Sequence, residues 1–213
     1  MNKKYSTTYR IKTIEALEQS KKLDFENIIP IKPYSKISNK KLEELSFLLN
    51  ERILPILISQ FGNNYRGASC INFSAALYAW LNALNCDAEI VFGEVEIFHT
   101  DEFDVTLENL THEYKNNIRS GVQNVHAWVT IGDDIIIDAC LPDRIFKYYK
   151  VPQLPNIFVT RAYIMAERWK SKYKPMLIGS DFINKAKNFN PIDAIPQIQS
   201  MINKWMSSEI NSQ

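Results

Sequence analysis

Cys70, His126 and Asp138 are the residues whose types and settings can do chemistry in this chain. A thiol becomes a good nucleophile when its thiolate is stabilised. A helix N-terminus does this, because its unpaired N–H groups and the macrodipole favour negative charge. The stretch GASCINFSAALYAWLNALNC (67–86) reads as a helix with a cysteine at each end. Cys70 lies at the start, where Ser69 can act as N-cap, Gly67-Ala68 allow a close approach and Arg66 adds a nearby positive charge. Cys86 lies at the far end, where the dipole opposes a thiolate. Cys140 follows two residues after Asp138, whose charge raises its pKa. Both read as packing. Taken alone, Cys70 reads equally well as an ordinary core cysteine.

A cysteine nucleophile needs a base, and the base needs a group to orient it. The histidines are His99, His112 and His126. His126 falls inside a β-rich run, and a strand is a rigid mount for a base. Asp138 is embedded in IIIDA, where a carboxylate is costly to bury without a partner; His126 is the partner on offer. Face geometry sets a condition. His126, Trp128 and Thr130 share one face of their strand; Ile136, Asp138 and Cys140 share one face of the next. The two sets meet only if the connecting loop has an odd number of residues, as Gly132-Asp133-Asp134 would, or if a bulge corrects the register.

The elements that must hold these residues read as α+β: helices first, an antiparallel sheet next, and a helical tail. TIEALEQSKKL (13–23) is a short helix signal and IIPIKPYSK (28–36) a two-proline connector. Ser38 or Asn39 caps a helix with Leu42, Leu45, Leu49 and Ile53 at helical spacing, which Pro55 kinks or restarts. ILPILISQF is apolar on nearly every side. The nucleophile helix carries Phe73, Leu77, Trp80 and Leu84 on the stripe of Cys70. AEIVFGEVEIF (88–98) alternates as a strand, and NVHAWVTIGDDIIIDAC (124–140) is the clearest hairpin signal. NIFVTRAYIMAERW begins as a strand. From Pro191 an apolar stripe through Ile198, Met201, Ile202 and Trp205 predicts a helix. The expected organisation is an N-terminal extension (1–37), a core (38–170) with an insertion or lid (98–122), and a helical tail (171–213) packed on it.

With these pieces in view, the chain resembles the transglutaminase-like branch of the papain-like cysteine enzymes. CINFSAALYAWL resembles its nucleophile helix, AEIVFG the strand that follows, and HAWVTI with IIIDA its His and Asp strands. The likeness covers about residues 60–140. It implies a papain-like fold, with a buried nucleophile helix against an antiparallel sheet, and a Cys70–His126–Asp138 triad acting on an amide or ester through an acyl-thioester. It also implies an oxyanion hole made of the Cys70 N–H and a second donor, for which Asn64, Tyr65 and Gln123 are candidates and Trp128 a further substrate-contacting one. Ile71 stands where the calcium-dependent crosslinking enzymes have Trp, and no acidic calcium loop is evident. Bacterial hydrolases and peptidases of the group are therefore the better comparison. Arylamine acetyltransferases and lasso-peptide maturation proteases share the residue order.

Composition narrows the classes. The 213 residues are 46% hydrophobic and carry 25 Lys+Arg against 24 Asp+Glu. This is enough to bury a core and lacks the basic excess of a nucleic-acid binder. No apolar run approaches the roughly 20 residues of a membrane span, and no secretory signal opens the chain. Reduced thiols in a cytoplasmic setting are expected. The His99, Asp101, Asp104, His112, Glu113 segment lacks dense ligand spacing and reads as a solvated loop; no metal or cofactor is expected. The Trp169–Lys174 mixture of aromatic and basic residues reads as amphipathic surface. Substrates would be a peptide, a protein side chain or a small amide or ester. A peptidase or glutamine deamidase with the same triad, and a non-catalytic binding protein keeping the fold, are the rivals.

Overall fold

The computed structural model describes residues 3–28, 37–62, 65–118, 125–187 and 189–210. The two-proline connector expected at 28–36 lies, apart from Ile28, outside them, as do Asn64 and Gln123. Helix α1 spans Lys3–Lys22, longer than the 13–23 stretch suggested. Its inward stripe is Tyr9, Thr13, Ala16 and Ser20, all buried. Two of these are hydroxyl residues whose side chains bond back to the Tyr9 and Ala16 carbonyls, so the stripe is poorly visible to a hydrophobic pattern.

Helix α2 (Asn39–Leu48) is capped by Ser38, whose hydroxyl accepts from the Lys41 N–H at 3.2 Å. Pro55 acts as the sequence suggests. It has no N–H and its ring crowds the carbonyl four residues back, and the chain widens into a π turn (Leu49–Ile53) before helix α3 (Leu54–Phe61). After the tight turn Arg66–Ala68 comes helix α4 (Cys70–Ala83), buried on nearly all sides.

The sheet is antiparallel throughout. Its strands are β1 (Ala88–Ile97), β2 (Thr100–Asp101), β3 (His126–Ile131), β4 (Ile135–Asp138), β5 (Phe158–Arg161) and β6 (Ser171–Ile178). The order is β2-β1-β3-β4-β5, with β6 on the other edge of β1. Helix α5 (Leu107–Lys115) lies between β2 and β3, α6 (Leu141–Tyr149) follows β4, and α7 (Ala162–Arg168) follows β5. Helices α8 (Asp181–Lys187) and α9 (Ile195–Ile210) follow β6. Among the described residues no helix is long and apolar enough to cross a membrane.

Two expectations need correction. Residues 171–213 do not form a purely helical tail: Ser171–Ile178 is a strand on the central β1. Its lysines alternate outward while Ser171, Tyr173, Pro175 and Leu177 turn inward, so the aromatic–basic surface expected there is half core. The 98–122 segment is not simply solvated either. His99, Asp101, Asp104 and His112 are exposed, but Phe103, Val105, Leu110, Glu113 and Tyr114 are buried. The buried Glu94 carboxylate holds this segment down by accepting from the N–H groups of Val95, Glu102, Phe103 and Val105. Tyr9, Trp128 and Phe182 belong to one buried cluster.

Candidate active site

Helix α4 is docked on β3 and the residue before it by one thiol and one hydroxyl bond in step. Cys70 Sγ donates to the Val125 carbonyl at 3.4 Å, and Ser74 Oγ to the Ala127 carbonyl at 2.8 Å. Four residues of helix advance about 6 Å and two residues of strand about 6.6 Å, so one helical turn matches one strand repeat. This lays the Cys70 thiol beside His126, the residue between the two carbonyls. Cys70 occupies the first helical position, where N–H groups have no intrahelical acceptor. Ser69 stands at the cap position, but its side chain takes no capping bond; the expected Ser69 cap is a correction. The turn before it is pinned instead by Arg66. The guanidinium bonds both Asp143 oxygens, at 3.0 and 2.5 Å, and the Asn156 carbonyl at 2.9 Å. Its charge is thus paired with Asp143.

The condition on the hairpin is met. Ile131 pairs with Ile135 and Val129 with Ile137 across the three-residue loop Gly132-Asp133-Asp134. Gly132 takes a positive φ of 62° in that loop, which glycine adopts without penalty. An odd loop puts His126 and Asp138 on one face. His126 Nε2 and Asp138 Oδ2 are 2.5 Å apart, both residues 1% exposed. Asp138 has further donors: Tyr173 Oη at 2.9 Å on Oδ2, and the Cys140 and Leu141 N–H groups at 2.8 and 2.9 Å on Oδ1. The last two open α6. The carboxylate is saturated, as a buried charge must be.

Electrostatics follow from this packing. Burial by itself disfavours the charged imidazole, but the Asp138 charge, its hydrogen bond and the nearby Cys70 outweigh it and push the His126 pKa up to about 10. Burial likewise works against the Asp138 carboxylate, and His126 with the two backbone donors holds it below its ordinary value. With Nε2–H committed to a carboxylate, the other ring nitrogen, Nδ1, is buried and makes no hydrogen bond to the described residues. Nδ1 is therefore the position at which the ring takes up and gives back its second proton.

The surroundings are aromatic. Phe103 stacks on the His126 ring with centroids 4.7 Å apart and an 18° interplanar angle. Trp128 and Tyr173 meet at 4.9 Å behind it. Trp128 is not a substrate or oxyanion residue: it is fully buried and its indole N–H donates to Tyr9 Oη at 3.1 Å. Tyr65 does lie near the turn that precedes Cys70, its phenol against Gly67, and its hydroxyl is buried without a hydrogen bond among the described residues. Cys140 is buried, and burial with the Asp138 charge drives its thiol well above the ordinary value; burial also raises the half-buried Cys86. His99 sits against Glu96 and His112 against Asn116, and among the described residues no three His, Cys, Asp or Glu converge as metal ligands would.

Tyr173, Phe103 and Glu94 were missed by the sequence reading. The period-2 alternation of SKYKPMLI would have revealed the strand that carries Tyr173. Phe103 and Glu94 carry no pattern, because a buried carboxylate under a loop has no periodic signature. No family model matches this chain, and neither a curated protein nor a solved structure matches it.

Proposed function

We propose that this protein is a cysteine acyl-hydrolase or acyltransferase of the transglutaminase-like type, working through Cys70, His126 and Asp138. One observation carries the reading. The imidazole is held by Asp138 through Nε2 while Nδ1, buried and unbonded, is left for a thiol at the start of a buried helix. The succession of nucleophile helix, strand, His strand and Asp strand also matches the order in papain-like enzymes of that group.

The chemistry then runs as follows. Sγ gives its proton to Nδ1, a transfer that a ring pKa raised to about 10 favours, and the thiolate attacks the acyl carbon while the carbonyl electrons move to oxygen. The Cys70 N–H faces that oxyanion. The intermediate collapses, the C–N or C–O bond breaks, and Nδ1–H delivers its proton to the leaving group. Water or an amine, deprotonated by Nδ1, attacks the thioester carbon, the C–S bond breaks, and the proton held on Nδ1 restores the Cys70–His126 pair. Asp138 keeps Nε2 protonated and steadies the imidazolium. A peptide bond, a glutamine side chain and a small ester are all substrates this machinery can process.

The test is a p-nitrophenyl acetate burst followed by peptide mapping. A stoichiometric burst with the acetyl group on Cys70, lost in Cys70→Ala, is expected. Absence of any Cys70-dependent burst, with labelling spread over all three cysteines, leaves a binding protein that keeps the fold.

A further inference from the structure

Beside the triad runs a chain of rings and cations that the acyl transfer itself does not use. Arg144 lies over the Phe103 ring at 4.4 Å and near the Tyr148 ring at 5.2 Å. Tyr148 meets Tyr65 edge-on, centroids 6.2 Å apart. Lys147 Nζ sits 4.1 Å from the Tyr65 ring centre and 5.2 Å from that of Tyr148. The Tyr65 phenol covers Gly67, so closely that a Cβ there would lie 2.4 Å from it. Ala68 is exposed and Gly67 and Ser69 half-buried. This is the side on which the backbone ahead of the thiol reaches the surface.

The cations of this cluster are not equivalent. Arg66 is held by Asp143. Arg144 is held by the Glu102 carboxylate and carbonyl. Lys147 is exposed, and among the described residues its contacts are the two tyrosine faces, with no carboxylate on it. A ring face attracts an ammonium without neutralising it. The Tyr65 hydroxyl is buried; Arg144 and Tyr148 lie near it, yet neither makes a hydrogen bond of normal geometry to it. Burial, opposed by Arg144, raises its pKa to about 12, so it remains a donor at neutral pH.

The geometry points to a carboxylate-binding subsite made by Lys147 and Tyr65, and to acyl donors whose acyl group carries a negative charge, such as a succinyl, glutaryl or glutamyl ester or amide. The assignment rests on the acyl-transfer reading above. Lys147 draws the carboxylate in, and the rings of Tyr65 and Tyr148 wall the aliphatic stem. The acyl carbon is thereby delivered toward Cys70 from the exposed side of the turn.

The test compares mono-p-nitrophenyl glutarate with its methyl ester. The kcat/KM ratio of acid over methyl ester is expected to exceed one. It should fall roughly fivefold in Lys147→Ala, the scale of one exposed charge pair, and further in Lys147→Glu, with the change in KM. A ratio that neither variant alters overturns the subsite. If neither ester acylates Cys70, the acyl-transfer reading has failed, and calorimetry with glutarate monoanilide then decides the subsite alone. Binding lost in Lys147→Glu supports it; equal binding, or none to the unaltered protein, overturns it.

Discussion

At the residue scale a buried ion pair combines a fully bonded Asp138 carboxylate with a ring whose Nδ1 makes no hydrogen bond among the described residues. His126 is raised above its unfolded value of 6.5, so its stabilisation is complete below pH 6.5 and is lost as pH rises through about 10. Asp138 is depressed below 3.8, so its stabilisation is present above that value and is lost as pH falls through the folded one. Thermal melts should therefore show the pair's contribution at its fullest between about pH 4 and 6.5, with a decline toward pH 10 that Asp138→Asn flattens. The same substitution should reduce acylation about 10²–10⁴-fold, because an amide no longer dictates the tautomer. A loss under threefold would remove Asp138 from the mechanism. Under the proposed acyl transfer, Tyr173, which donates to Asp138 Oδ2, acts as a positioning residue. Tyr173→Phe deletes a donor to the charged carboxylate, so the acid limb of the pH–rate profile should move to higher pH. Lower activity with an unmoved limb would reduce Tyr173 to packing.

At the scale of elements, the match between one turn of α4 and two residues of β3 is what brings sulfur and imidazole together. Ser74→Ala leaves the Ala127 carbonyl buried without this donor. It should cost about 1–3 kcal/mol and slow acylation, while an unchanged melting temperature would contradict the stapling role. Gly93 pairs with His126 across β1 and β3, and a Cβ there would lie 2.2 Å from the Lys174 carbonyl. Gly93→Ala must push β6, and Tyr173 with it, and should lower stability by about 1–3 kcal/mol. The hairpin was legible because β-branched alternation and the loop parity are local signals. Strand β6 was obscured by its outward lysines, which resemble surface, and α6 by its short Leu141, Pro142, Ile145 stripe. Ser69 looked like a cap by type alone, but its side chain takes no bond from the first turn.

At the scale of the whole molecule, the first helix and the sixth strand build the wall behind His126 and Asp138. Tyr9 from the first helix accepts from Trp128, and Tyr173 from the sixth strand reaches Asp138. Neither contact is local, so nothing near residue 9 or 173 announces it. Tyr9→Phe strands the indole N–H and should cost about 1–3 kcal/mol, some 2–12 °C in Tm for a chain of this size. A Tm unchanged within error would contradict the bond. Iodoacetamide alkylation at neutral pH, followed by peptide mass for each cysteine, tests the central claim most directly. Cys70, 7% exposed, should react well ahead of Cys140 and the half-buried Cys86, and His126→Ala should abolish that lead. Equal, slow alkylation at all three, indifferent to His126, would contradict it.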